Sequence, residues 1–272
     1  MVGDGALDVP LVFFFHFLNF RHKKLNKNQK QTLFFDKIYG TINNNSKAWR
    51  NMMIGAVLFD MDGTVFDTEV IYRRCWFRAA KDVGFDEDMD LFLHRVSALN
   101  LTDMAALVRR VYNSNVPFEV LWARWLECVD EELASGVLPF KAGAPEILFD
   151  LKEKGIKIAL VTSSGQKTVA RYLQMSRLEG VFDVIMTGDR VKNGKPHPEI
   201  FLTAAERLGI PPAYCMVVED SHNGIRAGHA AGMVTVMVPD LHPCTEELHP
   251  LLRRCCDTLT DIIPLIDEEN NN

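Results

Sequence analysis

The stretch Ile54-Gly55-Ala56-Val57-Leu58-Phe59-Asp60-Met61-Asp62-Gly63-Thr64 constrains the chain most. A dense apolar run ends abruptly in two carboxylates, a glycine and a hydroxyl. Its density and its Val57 predict a strand buried on both faces, as in a parallel sheet. Asp60 and Asp62 then fall at the C-terminal end of that strand, the edge where open α/β sheets bind ligands. Two residues apart on an extended chain, they project to the same side. Carboxylates so close repel each other unless a cation or a shared proton intervenes, and hard divalent cations suit oxygen ligands. A plain Asx-type turn ending a strand is the competing reading. On this stretch alone both stand open.

Farther along, apolar runs alternate with helical periodicity. Strands are predicted at 156–161, 181–186, 214–218 and 234–238. Helices are predicted at about 167–175, 198–208 and 223–231, the last two stopped by Gly209 and Gly232. Such alternation implies right-handed crossovers and a Rossmann-like parallel sheet with helices on both faces. Three strands then end in polar groups on one rim: Asp60/Asp62, Thr162/Ser163 and Glu219/Asp220. Chance turns do not easily account for three such ends on one edge.

Between 67 and 134 the pattern is helical throughout. Ile71, Cys75 and Ala79 share a face, as do Leu101, Ala105 and Val108. Trp122, Trp125, Leu126 and Val129 form another apolar stripe, read as core packing. A helical module inserted directly after the first strand is the expectation. The boundaries are then an extension over 1–52, an α/β core over 53–66 and 139–272, and a helical cap over 67–138.

Charge bears on partners. The net charge of −6 combines +5 over residues 1–53 with −11 over the rest. An acidic body argues against a nucleic-acid surface. The apolar run 11–20 is shorter than the roughly 20 residues a membrane span needs. Its N-terminal flank carries Asp4 and Asp8 instead of positive charge, and the Asn- and Lys-rich segment after it has a disorder-prone composition. A poorly ordered or dispensable extension is expected, with no membrane role. Cys75, Cys128, Cys215, Cys244, Cys255 and Cys256 show no CxxC or zinc spacing, so reduced thiols in a cytoplasmic protein are expected.

The rim groups suggest phosphoryl chemistry. Carboxylates hold Mg²⁺, which bridges to substrate phosphate. A hydroxyl such as that of Thr162, followed by N–H groups at a helix start, suits phosphate oxygens. Lys195, in Gly194-Lys195-Pro196-His197-Pro198, supplies a point charge from a stiffened loop. Together they make a phosphoryl-transfer set.

The order Asp60-Met61-Asp62-Gly63-Thr64, Val161-Thr162-Ser163, Lys195-Pro196, Glu219-Asp220 resembles the haloacid dehalogenase-like hydrolases, in their helical-cap subgroup, over about 54–266. The resemblance implies that Asp60 is a nucleophile forming an aspartyl-phosphate and Asp62 the general acid and then base. It implies that Thr162 and Lys195 hold the phosphoryl group. Gly63, Thr162, Ser163 and Lys195 would contact the substrate. Asp60, the Asp62 backbone carbonyl and Asp220 would hold Mg²⁺, with Glu219 in support.

The β-phosphoglucomutases of the family have a histidine where Tyr72 stands and an arginine where Ala98 aligns. Asp67-Thr68-Glu69 with Tyr72 is more similar to capped phosphatases such as pseudouridine-5′-phosphatase. The expectation is a Mg²⁺-dependent phosphatase of a small phosphorylated metabolite, working as a monomer. A mutase-type phosphoryl shift and an inactive binding module are the alternatives.

Overall fold

The structure, a computed structural model, describes residues 54–271 except 97, 98, 100, 113, 114, 135 and 137. The expectations for residues 1–52 and for Ala98 lie outside the described residues.

Six parallel strands form one sheet in the order β3-β2-β1-β4-β5-β6. They are β1 (Ala56–Phe59), β2 (Lys157–Val161), β3 (Val184–Met186), β4 (Cys215–Glu219), β5 (Val234–Met237) and β6 (Arg254–Cys255). Every residue of β1 and β4 is buried, which is why these runs lack polar alternation. Leu58 and Phe59 have no exposed surface, and each such side chain contributes about 2 kcal/mol by leaving water.

β1 pairs with β2 on one side and β4 on the other, Phe59 standing level with Leu160 and Val218. The chain winds outward from β1 to β3 and then crosses to β4. The order therefore reverses at β1, and the crevice at its C-terminal end is a ligand-binding position.

Helices α5 (Ala144–Glu153), α6 (Gln166–Ser176), α7 (Glu199–Leu208), α8 (His222–Ala230) and α9 (Ile262–Asn271) complete the core. Ser221 caps α8, its side chain accepting from the Gly224 N–H, as serine does at helix starts. The predicted strand over 181–186 begins only at Val184. Val181 and Phe182 pack inward from a turn, and Asp183 ties that turn to β2 by accepting from the Ile158 N–H at 2.9 Å.

The inserted module consists of α1 (Thr68–Val83), α2 (Met89–Val96), α3 (Leu101–Val111) and α4 (Phe118–Ala134). Trp76, Trp122 and Trp125 cluster with ring centroids 4.6 to 5.8 Å apart, so these tryptophans are packing residues. Leu101 and Leu126, by contrast, are 47% and 45% exposed. Helical spacing groups residues on a face but does not say how far around the helix the buried stripe extends.

The two crossings between module and core lie side by side. The Asp67 N–H donates to the Pro139 carbonyl at 2.9 Å and the Lys141 N–H to Val65 at 3.0 Å. All six cysteines are unpaired. Among the described residues, no helix is long and apolar enough to cross a membrane.

Candidate active site

The ends of β1, β2 and β4 meet as the strand pattern requires. Asp60 directly follows β1 and is 8% exposed. Lys195 reaches it from the loop before α7, its Nζ 2.6 Å from Asp60 Oδ1 and 2.7 Å from Glu219 Oε1. The same ammonium donates to the Val161 carbonyl at 3.0 Å. Its three protons thus have three acceptors. The loop that carries Lys195 is fixed by Glu199, whose carboxylate accepts from the N–H groups of Lys192 and Asn193.

Glu219 is fully buried. Its Oε2 accepts from the Asp220 N–H at 3.1 Å, the Ser221 N–H at 3.0 Å and the Ser221 hydroxyl at 2.8 Å. With Lys195 on Oε1, both its oxygens have partners, which fits a supporting part better than direct ligation. Carboxylate oxygens of Asp60, Glu219 and Asp220 all lie within 4.8 Å of one another.

Asp62 is held at both oxygens, by Ser164 Oγ on Oδ2 at 2.8 Å and Tyr72 Oη on Oδ1 at 3.3 Å. Thr162 Oγ1 accepts from the Ser164 N–H at 2.9 Å, which leaves its own proton to give to a ligand. Ser163, the neighbouring residue, is exposed at the rim.

Gly63 shows why the cradle excludes side chains. Its φ is +79°, and a Cβ there would stand 2.4 Å from Asp220 Oδ2. A methyl group would fill the space in front of Asp220.

Three carboxylates against one ammonium leave an excess of negative charge in a largely buried pocket. Burial pushes the Asp60 carboxyl up to about 8, with Lys195 opposing. Burial, followed by Glu219 and Asp60, pushes Asp220 up to about 9. Asp60 has Lys195 as its counter-ion, so Asp220 is the group that most needs a proton or a cation. Oxygen donors, excess negative charge and an open cradle together fit a hard divalent cation.

A pH dependence follows. Both carboxyls bind protons more tightly in the fold than in the unfolded chain, where Asp titrates near 4. Between about pH 4 and about pH 9 the folded state holds the extra protons, so stability falls as pH rises. The metal-stripped protein should melt progressively lower across this window, and added Mg²⁺ should restore the loss at its upper end. A melting temperature that climbs with pH over that range would contradict the assignment.

A second expectation concerns Gly224, in the first turn of α8. A Cβ there would sit 1.8 Å from Glu219 Oε1. Gly224→Ala gains about 1 kcal/mol of helix propensity but forces Glu219 away from Lys195, at a cost of about 3 kcal/mol or more. Thermal melting should show net destabilisation, with turnover falling in parallel. A more stable variant would mean that Glu219 relocates freely.

The sequence reading missed three partners. Ser164 donates to Asp62, while Gly165 takes the N-cap position of α6. Tyr172, on the far side of Tyr72, was not singled out. Asp240 lies just past β5 with its Oδ1 2.7 Å from Lys141 Nζ. A polar residue after a fourth apolar strand was the available signal for it.

A parallel α/β core whose site sits at the sheet's reversal point, with a helical module inserted after the first strand, defines a Rossmann-like fold with an inserted helical cap. Residues 57–238 match the haloacid dehalogenase-like hydrolases, and the chain belongs to that family. Among similar proteins is the phosphorylated carbohydrates phosphatase of Thermotoga maritima. It is 36% identical over 178 residues, which span 65% of this chain and 82% of that one. Hexitol phosphatase B of Escherichia coli K12 is 30% identical, over 68% of this chain and 83% of that one. A Thermotoga maritima structure assigned as a β-phosphoglucomutase superposes with a TM-score of 0.68 at 31% identity, over 79% of this chain and 99% of that one.

Proposed function

We propose that this protein is a Mg²⁺-dependent phosphatase that hydrolyses a small phosphomonoester, of the sugar-phosphate or nucleotide-like kind, through an aspartyl-phosphate on Asp60. The observation that carries the reading is the single Lys195 ammonium bridging Asp60 and Glu219 next to Asp220, with the separately held Asp62 beside them.

Asp60 attacks phosphorus as the bond to the leaving oxygen breaks. Asp62 gives that oxygen its proton. Burial raises the Asp62 carboxyl, which suits a group that must hold a proton to deliver it. Asp62 then takes a proton from the water that attacks the aspartyl-phosphate, and phosphate leaves with Asp60 restored. The Thr162 hydroxyl donates to a phosphoryl oxygen, and Lys195 orients Asp60 and neutralises phosphoryl charge as a nearby point charge, with the backbone at Gly63 and Ser163 lining the approach. Asp60, the Asp62 backbone carbonyl and Asp220 would hold Mg²⁺, supported by Glu219. When bound, the cation draws off phosphoryl charge and lets two anions approach.

The cap over 67–138 closes the site to water. The extension over 1–52 is dispensable for turnover. The names of the phosphatase relatives support a sugar phosphate as substrate. We also place the enzyme in the cytoplasm as a monomer, with the buried thiols of Cys75, Cys128, Cys215 and Cys256 in support of a reducing setting.

The test is phosphate release from a panel of sugar phosphates and nucleotides, with Mg²⁺ and with chelator. β-Glucose 1-phosphate is assayed in parallel for glucose 6-phosphate. Metal-dependent release is the expected result. Conversion of glucose 1-phosphate without release would replace the phosphatase by a mutase.

A further inference from the structure

The Asp62 carboxylate is held from two domains. Ser164, at the start of α6 in the core, donates to Oδ2 at 2.8 Å. Tyr72, on cap helix α1, donates to Oδ1 at 3.3 Å. One hydrogen bond would leave the carboxylate free to turn about its terminal torsion, which is soft. Two donors on opposite oxygens fix its plane.

Tyr72 has a second phenol beside it. Its Oη lies 2.7 Å from that of Tyr172, on core helix α6 and only 1% exposed. Each phenol has one proton to give. Since Tyr72 spends its proton on Asp62, Tyr172 must be the donor to Tyr72. Both groups stay protonated: burial pushes Tyr72 far up and Tyr172 up to about 12.

The pair is also anchored at both ends. Trp125 of the cap donates its indole N–H to the Tyr72 carbonyl at 3.2 Å and packs edge-on to its ring at 5.4 Å. Phe66, beside the crossing into the cap, packs edge-on to Tyr172 at 5.9 Å.

We infer that Tyr72 and Tyr172 are a positioning pair that aims the Asp62 carboxyl at the leaving-group oxygen, Tyr172 donating to Tyr72 and Tyr72 to Asp62. The inference rests on the phosphatase reading. Its consequence is selective. An alkyl phosphate needs its departing oxygen protonated, whereas p-nitrophenyl phosphate releases a stable phenolate without help. kcat/KM covers only the steps up to leaving-group departure, so it isolates the acid role of Asp62 from its later role as base.

The experiment compares kcat/KM for p-nitrophenyl phosphate with that for the alkyl phosphate the unaltered protein hydrolyses fastest. Tyr72→Phe should lower the alkyl value by about ten- to a hundredfold and the aryl value far less. Tyr172→Phe should move the same ratio in the same direction by a smaller factor. In the double variant the second exchange should add nothing, because the two residues act in series. Both exchanges keep the rings in place, and melting curves check the fold. Equal losses on both substrates, additive losses, or no loss would each overturn the inference. If the unaltered protein released nothing from either substrate, the phosphatase reading would itself have failed and the inference with it. That outcome is distinct from an unchanged substrate ratio in an active enzyme.

Discussion

Asp60→Asn should reduce turnover by at least about 10⁴-fold, because the amide cannot form the acyl-phosphate and no other group stands in its place. The fold should survive the exchange. Asp60 belongs to a buried group of three carboxylates sharing one ammonium, and burial already pushes its carboxyl up to about 8. Removing its charge relieves repulsion with Glu219 and Asp220 while Lys195 keeps Glu219 at 2.7 Å. The metal-free melting temperature should therefore hold or rise, and the Mg²⁺-induced rise should shrink. An enzyme losing a nucleophile and a protein losing a structural residue part company here: only the second would lose stability. Full turnover in this variant would remove Asp60 from the chemistry.

Lys195→Met should cost both stability and rate. The lysine side chain is 5% exposed, with acceptors in Asp60, Glu219 and Val161. Methionine fills much of the same volume but leaves two buried carboxylates without their cation. Breaking a buried pair from one side costs about 3–5 kcal/mol. At about 2–4 °C per kcal/mol in a domain this size, the melting temperature should drop by roughly 10 °C. Mg²⁺ or a lower pH should recover part of it, since each supplies positive charge to the same oxygens. Loss of this electrostatic contact to the phosphoryl group should also cost about 10² to 10³ in kcat. A variant as stable as the parent would mean that Asp60 and Glu219 do not depend on Lys195.

The legible parts of the fold were those where one physical signal dominated. Apart from Lys157 and Glu219 at their ends, Ala56–Phe59, Lys157–Val161 and Cys215–Glu219 are continuous apolar runs because both their faces are covered. β6, Arg254–Cys255, was not found: two exposed residues on a sheet edge carry neither periodicity nor hydrophobicity. At the site, Asp60, Asp62, Thr162, Lys195, Glu219 and Asp220 stood out as polar groups at apolar strand ends or in a stiffened loop. The structure brings them together.

What escaped were contacts between residues far apart in sequence. Ser164 reaches Asp62 across 102 positions, and Tyr172 reaches Tyr72 across 100. A serine before a helix reads as a cap, and a tyrosine on a helix face reads as core. The pairing of β1 with β2 gives Ser164 its second task, and the meeting of cap and core gives Tyr172 its own. The crowding at Gly224 was equally hidden, since it depends on the Glu219 side chain turning back over α8.

The most direct test of the account is to catch the covalent intermediate. In Asp62→Asn, p-nitrophenyl phosphate should still phosphorylate Asp60, because its leaving group needs no acid. The next step lacks its base, so the intermediate should accumulate. Mixing with Mg²⁺ should give a burst of about one nitrophenolate per active site. Intact mass should show one added phosphoryl group, mapped to residue 60 and absent when Asp60 is also changed to Asn. A burst without added mass, or a phosphoryl group that persists without Asp60, would contradict the assignment of Asp60 as nucleophile.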